Sequence, residues 1–262
     1  MWAIAICIYV LLKGMTWHLR SQRDVTLWKE FAYLIGWPGM DADRFLNPDC
    51  TPVSKPDLKE WAFATTEIGV GLTLLFWVIP QLTDFAPAAV GWIGLIGIGF
   101  VLHFGSFDLL SLIWRSCSLR ADPIMNWPLR ARSVADFWGQ RWNRAFRDLT
   151  HRILFLPFNR RIGPSAALLV SFFVSGLIHE AVISVPANGG YGGPTTYFLI
   201  QGFALHIERT RVGRRFGLGR GLTGRFYCAA CILAPITLLF HTAFMRSVIV
   251  PFLQAIGSAP CR

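Results

Sequence analysis

At 262 residues, with 53% hydrophobic and 15% charged side chains and a mean hydropathy of +0.45, the chain is far more apolar than a soluble domain, where about 25% of residues are charged. This composition excludes a water-soluble globular enzyme and points to a polytopic membrane protein. The formal charge of +10 is almost all arginine and lies between the apolar runs, which argues for membrane loops rather than a nucleic-acid surface.

Taken in chain order, the predicted spans are Trp2 to Leu12, Trp61 to Ile79, Ala88 to Phe104 continuing toward Trp114, Ser165 to Pro186, Thr195 to Ile207, and Phe226 to Phe244. They predict an all-α polytopic helical bundle of about six spans, organised as a single membrane-embedded domain over 1–262. The first and fifth runs are short for a lipid-exposed crossing and are expected to be tilted or partly buried. No small-residue cleavage pattern follows the first run, so it is expected to be retained. Leu27 to Trp37, LWKEFAYLIGW, is broken by Lys29 and Glu30 and stopped by Pro38-Gly39. This pattern predicts an interfacial helix, or alternatively a short re-entrant one.

Three loops, Lys13 to Lys59, Arg115 to Arg161 and Arg209 to Arg225, hold all but two of the 25 basic residues. The connections Gln81 to Pro87 and Ala187 to Pro194 hold none. With six spans the three basic loops fall on one side, and the excess of Lys and Arg assigns that side to the cytoplasm. Amphipathic or re-entrant helices are expected within these loops. The six cysteines, Cys7, Cys50, Cys117, Cys228, Cys231 and Cys261, are scattered. Cys228-Ala-Ala-Cys231 has the CxxC spacing, but neither a second pair nor a histidine at zinc spacing accompanies it. Small packing residues and no metal site are expected. Asp108, near the end of the third run, is placed to pair with Arg115 two turns on.

The loop between the third and fourth spans is unusual. Ser133 reads as an N-cap with Asp136 at the capping-box position, and Phe137, Trp138, Trp142, Ala145, Phe146 and Leu149 then recur at helical spacing. Arginines fill much of the remainder, as in an amphipathic helix lying on lipid headgroups. That account does not require Asn143, a polar amide within the Trp-rich run. The fourth span carries a second irregularity, the ionisable pair His179-Glu180 in an otherwise apolar stretch. Such groups are costly in hydrocarbon and normally face a polar cavity or a partner.

Asp136-Phe137-Trp138-Gly139-Gln140-Arg141-Trp142-Asn143, followed in the next span by Ser175-Gly176-Leu177-Ile178-His179-Glu180, resembles the membrane-bound O-acyltransferase family, and within it the wax synthase branch. Asn126-Trp127-Pro128-Leu129-Arg130 and the segment His103 to Leu110 are also similar to that branch, so the resemblance covers roughly 100–206. It implies transfer of an acyl group from acyl-CoA, as co-substrate, to a lipid hydroxyl inside a membrane chamber. No resident cofactor is implied. The family's invariant histidine falls on His179 and its motif asparagine on Asn143.

Ester formation from an alcohol and a thioester requires a base for the hydroxyl proton, and neutral imidazole suits this near neutral pH. Asn143 is the expected donor to the thioester carbonyl, or the group that orients the acceptor. Glu180 points about 100° away from His179 on a regular helix and suits a structural bond better than proton transfer. Arg141, Arg144 and Arg147, with Trp142, are the expected grip on the CoA phosphates, and contact with anionic lipid is the alternative. Other readings keep the fold and change the acceptor to a sterol, a polysaccharide or a protein. The short, uncharged outer loops favour a lipid. A non-enzymatic reading is a haem-binding or transport protein built on His103, His179 and His241. Haem ligation needs two facing histidines, and a transporter predicts an internal repeat that the sequence does not show.

Overall fold

A computed structural model describes residues 2–21, 24–46, 54–82 and 87–259. Cys50, Cys261 and most of the Gln81 to Pro87 connection lie outside them. Among the described residues every regular element is helical. In chain order these are α1 (Trp2–His18), α2 (27–36), α3 (Ala42–Leu46), α4 (Leu58–Leu82), α5 (Ala88–Ser116), α6 (134–141), α7 (144–162), α8 (Pro164–Ala187), α9 (Gly193–Arg209), α10 (Arg211–Arg215), α11 (Gly221–Leu239) and α12 (242–255), with a 3-10 turn at Pro128–Arg130 before α6.

Four of the six expected spans, α4, α5, α8 and α11, are long and apolar enough to cross a membrane. The other two, α1 and α9, have 17 residues each. α9 is less apolar because its inward face carries Gln201 and Glu208, both buried in protein. The last span ends earlier than the hydropathy predicts. The backbone leaves the helix at Phe240, and the His241 side chain caps a new short helix by accepting from Phe244 N at 3.2 Å.

The chain divides into two compact units, one of Ile6–Met125 with the stretch from Ile249, the other of Asn126–Val248 with the residues through Ala5. In the first, α4 and α5 cross on small residues: a Cβ on Gly71 would stand 2.8 Å from Gly97 O, and one on Gly105 2.9 Å from Ile68 N. Such residues let membrane helices approach at backbone distance. Arg115 bonds Glu60 at 2.7 and 3.2 Å and Ser54 O at 3.1 Å. Its hydrogen-bonded carboxylate is therefore Glu60 rather than the expected Asp108, because α4 brings Glu60 alongside. The α2 helix shows Leu27, Trp28, Phe31 and Ile35 outward and buries Ala32 and Tyr33, the one-sided exposure expected of an interfacial helix. Beneath it Lys13 is 2% exposed. Its Nζ donates to Trp37 O at 2.7 Å and to Gly39 O, and sits 3.4 Å from the Tyr33 ring centroid.

In the second unit α8 and α9 form a hairpin through the glycine-rich turn after Ala187. They cross at Gly176, where any Cβ would lie 2.7 Å from Thr195 Cα. Glu180 locks this crossing, its Oε1 accepting from Thr195 N at 3.1 Å and from Thr195 Oγ1 at 3.0 Å. The expected structural role of Glu180 is thus the observed one.

Candidate active site

The Trp-rich motif folds differently from a single amphipathic helix. Ser133 caps α6 as predicted, its Oγ accepting from Asp136 N at 3.0 Å. Asp136 does not complete the capping box. Its Oδ2 takes Arg132 N at 2.9 Å and Arg141 Nε at 2.7 Å. Residues 137–141 widen into a π turn closed by Trp142 N to Phe137 O at 2.9 Å, and in that register residues five apart become neighbours. The helix then stops. Trp142 is extended and Asn143 is left-handed, with φ 38° and ψ 63°. Asparagine tolerates this conformation better than other residues with a Cβ. Asn143 also starts the next helix, since its Oδ1 accepts from Phe146 N at 3.1 Å and caps α7. The amide oxygen is thus used in the cap.

α6, α7, α8 and α9 line an open-mouthed cavity of about 290 Å³. Its walls are largely aromatic, with Trp138, Trp142, Phe146, Phe172 and Phe198 contributing, and both His179 and Asn143 line it. Trp138 is held in place by Phe172 and Phe198 at centroid distances of 5.7 and 5.6 Å. Its Nε1 also donates to Gln201 Oε1 at 3.3 Å. Trp142 stacks on Phe137 at 5.6 Å.

His179 ends the α-helical part of α8, just before a π turn over Glu180–Ser184. Its Nδ1 lies 2.7 Å from Ser175 O. A carbonyl can only accept, so Nδ1 carries the hydrogen, and in the neutral ring the lone pair is on Nε2. Phe198 packs on the imidazole at a centroid distance of 4.3 Å, and Phe146 meets it edge-on at 6.4 Å. Ser175 is buried and its hydroxyl donates to Ser171 O at 2.8 Å, so it is not poised as a nucleophile. His241 is committed elsewhere, with Nδ1 in its helix cap and Nε2 3.3 Å from Ser184 Oγ.

The sequence-predicted residues separate into two groups. His179, Asn143, Trp142 and Arg147 line the one cavity. Arg141 does not line it; besides Asp136, it donates to Trp127 O at 3.3 Å and Asn126 O at 3.4 Å, which clamps the loop. Arg144 lies one turn before Arg147 on α7, outside the cavity lining. Among the lining residues that sequence reasoning missed are His151, Phe198 and Arg209. Arg209 carried a signal, as the first cation after an apolar helix. Phe198 carried none, because one more phenylalanine in a span is indistinguishable from packing.

Comparison with known proteins bears on this cavity directly. Residues 121–201 match the membrane bound O-acyl transferase family. The matched segment contains α6, α7, α8 and the first half of α9, and with them His179 and Asn143. A probable long-chain-alcohol O-fatty-acyltransferase 1 of Arabidopsis thaliana is 37% identical over 99 residues, 33% of this chain and 28% of that protein. A long-chain-alcohol O-fatty-acyltransferase of Simmondsia chinensis is 39% identical over 95 residues, 33% of this chain and 27% of its own length. An acyl-CoA–sterol O-acyltransferase 1 of Arabidopsis thaliana is 26% identical over 130 residues, 47% of this chain and 36% of the other. The aligned part of the chain thus spans well under two thirds of each of these acyltransferase relatives.

Proposed function

We propose that the protein is an integral-membrane O-acyltransferase that moves a fatty acyl group from acyl-CoA to the hydroxyl of a long-chain alcohol. The observation that carries this reading is the Nδ1–H···O=C bond from His179 to Ser175. It leaves Nε2 basic on the wall of an aromatic cavity shared with Asn143. In the proposed step the alcohol oxygen attacks the thioester carbonyl carbon and Nε2 takes its proton. Asn143 donates through its amide to the carbonyl oxygen as negative charge develops there, or orients the acceptor. The C–S bond breaks, and the thiolate leaves with the proton returned from Nε2. Arg147 holds the phosphates of the donor, helped by His151 and Arg209, which line the same cavity and are exposed. Trp142 flanks that end.

The relatives named for long-chain alcohols favour a linear alcohol over a sterol as acceptor. We place the three basic loops in the cytoplasm, on their charge excess. This requires α9 to cross as well, and at about 1.5 Å per residue its length approaches that of a bilayer core.

Cells expressing the protein, fed labelled fatty acid with a panel of long-chain alcohols and sterols, test the reading. Label is expected in wax esters and to rise with the supplied alcohol. Label confined to sterol esters would move the acceptor assignment, and no new ester with any acceptor would overturn the function.

A further inference from the structure

Glu208 takes no part in the reaction just described, yet it is a buried carboxylate, 6% exposed, in the last turn of α9. Its partners are backbone amides 73 and 74 residues away. Oε2 accepts from Val134 N at 2.7 Å, and Oε1 from Ala135 N at 3.4 Å. These are the first two N–H groups of α6, which have no acceptor within their own helix. Ser133 Oγ takes the third, from Asp136. A carboxylate at a helix start also complements the helix dipole.

Capping alone does not account for the arrangement, because Ser133 already provides a local cap. A side chain reaching in from another helix adds what a local cap cannot, a fixed register of α6 on α9. Trp138 Nε1 to Gln201 Oε1 at 3.3 Å repeats the tie farther along both helices. Both helices line the cavity. α6 begins at the Glu208 contact and leads directly into Trp142 and Asn143, while α9 carries Phe198 against His179.

We propose that Glu208 is a positioning residue, whose carboxylate fixes α6 on α9 and so sets where Asn143 stands in the cavity relative to His179. The inference rests on the acyltransferase reading for its kinetic consequence, but the tie itself is measurable without turnover.

The test compares Glu208→Gln, which keeps one acceptor oxygen, with Glu208→Ala, in wild-type and Asn143→Ala backgrounds. Tyr227→Phe serves as a control, removing a bond from α11 to Ala204 O on α9 that does not involve α6. Rates are normalised to folded protein. A misplaced catalytic group costs up to about 10²-fold, so Glu208→Ala should lower kcat roughly ten- to a hundredfold and Glu208→Gln less. KM for acyl-CoA should stay within about twofold. In the Asn143→Ala background the same changes should add little, because both act through one group. Tyr227→Phe should leave kcat unchanged. Hydrogen exchange of the Val134 and Ala135 amides should accelerate in folded Glu208→Gln and Glu208→Ala. An equal loss of kcat in both backgrounds would overturn the proposal, as would unchanged exchange at those amides. If the wild-type protein transferred no acyl group, the acyltransferase reading would fall and the exchange result alone would decide whether Glu208 holds α6.

Discussion

Lys13 and His179 both place a lone basic side chain inside an apolar helix, and their surroundings lead to opposite conclusions. The Lys13 amino group is enclosed: two backbone carbonyls accept from it and the Tyr33 ring covers it. Tyr33 is in turn fixed by Thr16 at 2.7 Å. All of this chemistry is spent on joining α1 to the turn after α2. The His179 ring uses one nitrogen to fix itself and turns toward a cavity. Burial therefore does not separate a structural group from a functional one; the capacity left after internal bonds are counted does. Arg141 and Arg147 repeat the contrast within one motif. Arg141 is consumed by Asp136 and two carbonyls, whereas Arg147 pairs with its neighbour Asp148 at 2.8 Å and still lines the cavity.

The largest effect that would break this comparison lies at His179. His179→Ala should lower turnover by about 10²- to 10⁴-fold, the range of general acid–base catalysis, with the thermal midpoint in detergent little changed. A folded variant that esterified alcohol at near wild-type rate would place His179 with Lys13. Lys13→Ala should do the reverse. It takes the Lys13 donor from buried Gly39 O, at a cost of roughly 1–3 kcal/mol, and leaves Trp37 O with the Tyr9 hydroxyl at 3.3 Å, so the thermal midpoint should fall while kcat per folded protein stays within about twofold. A large kcat loss at full stability would contradict the structural reading of Lys13. The arginine pair gives the smallest effect. Arg147→Ala should raise KM for acyl-CoA several-fold, more at low salt than at high salt because screening weakens the contact. Arg141→Ala should instead loosen the loop and lower stability. Equal KM shifts with equal salt dependence in both variants would show that the two arginines do the same work.

Much of the site was legible in the sequence because its residues break rules there. An ionisable pair in an apolar span and an amide in an aromatic run stand out against any membrane helix, and His179 of that pair does share a cavity with Asn143. The break between α6 and α7 was not legible, since the apolar spacing continues through it and reports one helix. What ends the helix is the left-handed backbone at Asn143, which periodicity does not register. The Asp136–Arg141 pair escaped for a related reason: five-residue spacing is unfavourable on an α-helix and becomes close contact only in the π turn. α9 shows the limit of hydropathy as a guide. Its Gln201 and Glu208 lower its apolarity because they bond protein partners, so the helix with most of the internal wiring is the one that reads least like a span.

The tether between His179 and the backbone of its own helix also constrains the order of events in the proposed reaction. Only one imidazole nitrogen is left for exchange, so the proton lifted from the alcohol and the proton delivered to the departing sulfur pass through the same atom. Both oxygen and sulfur must then lie around that nitrogen in a single complex, and Ser175, its hydroxyl already donated along the helix, offers no place to park the acyl group between substrates. The expected kinetics are sequential, with neither substrate released as product before the other arrives and no burst of free thiol in the absence of alcohol.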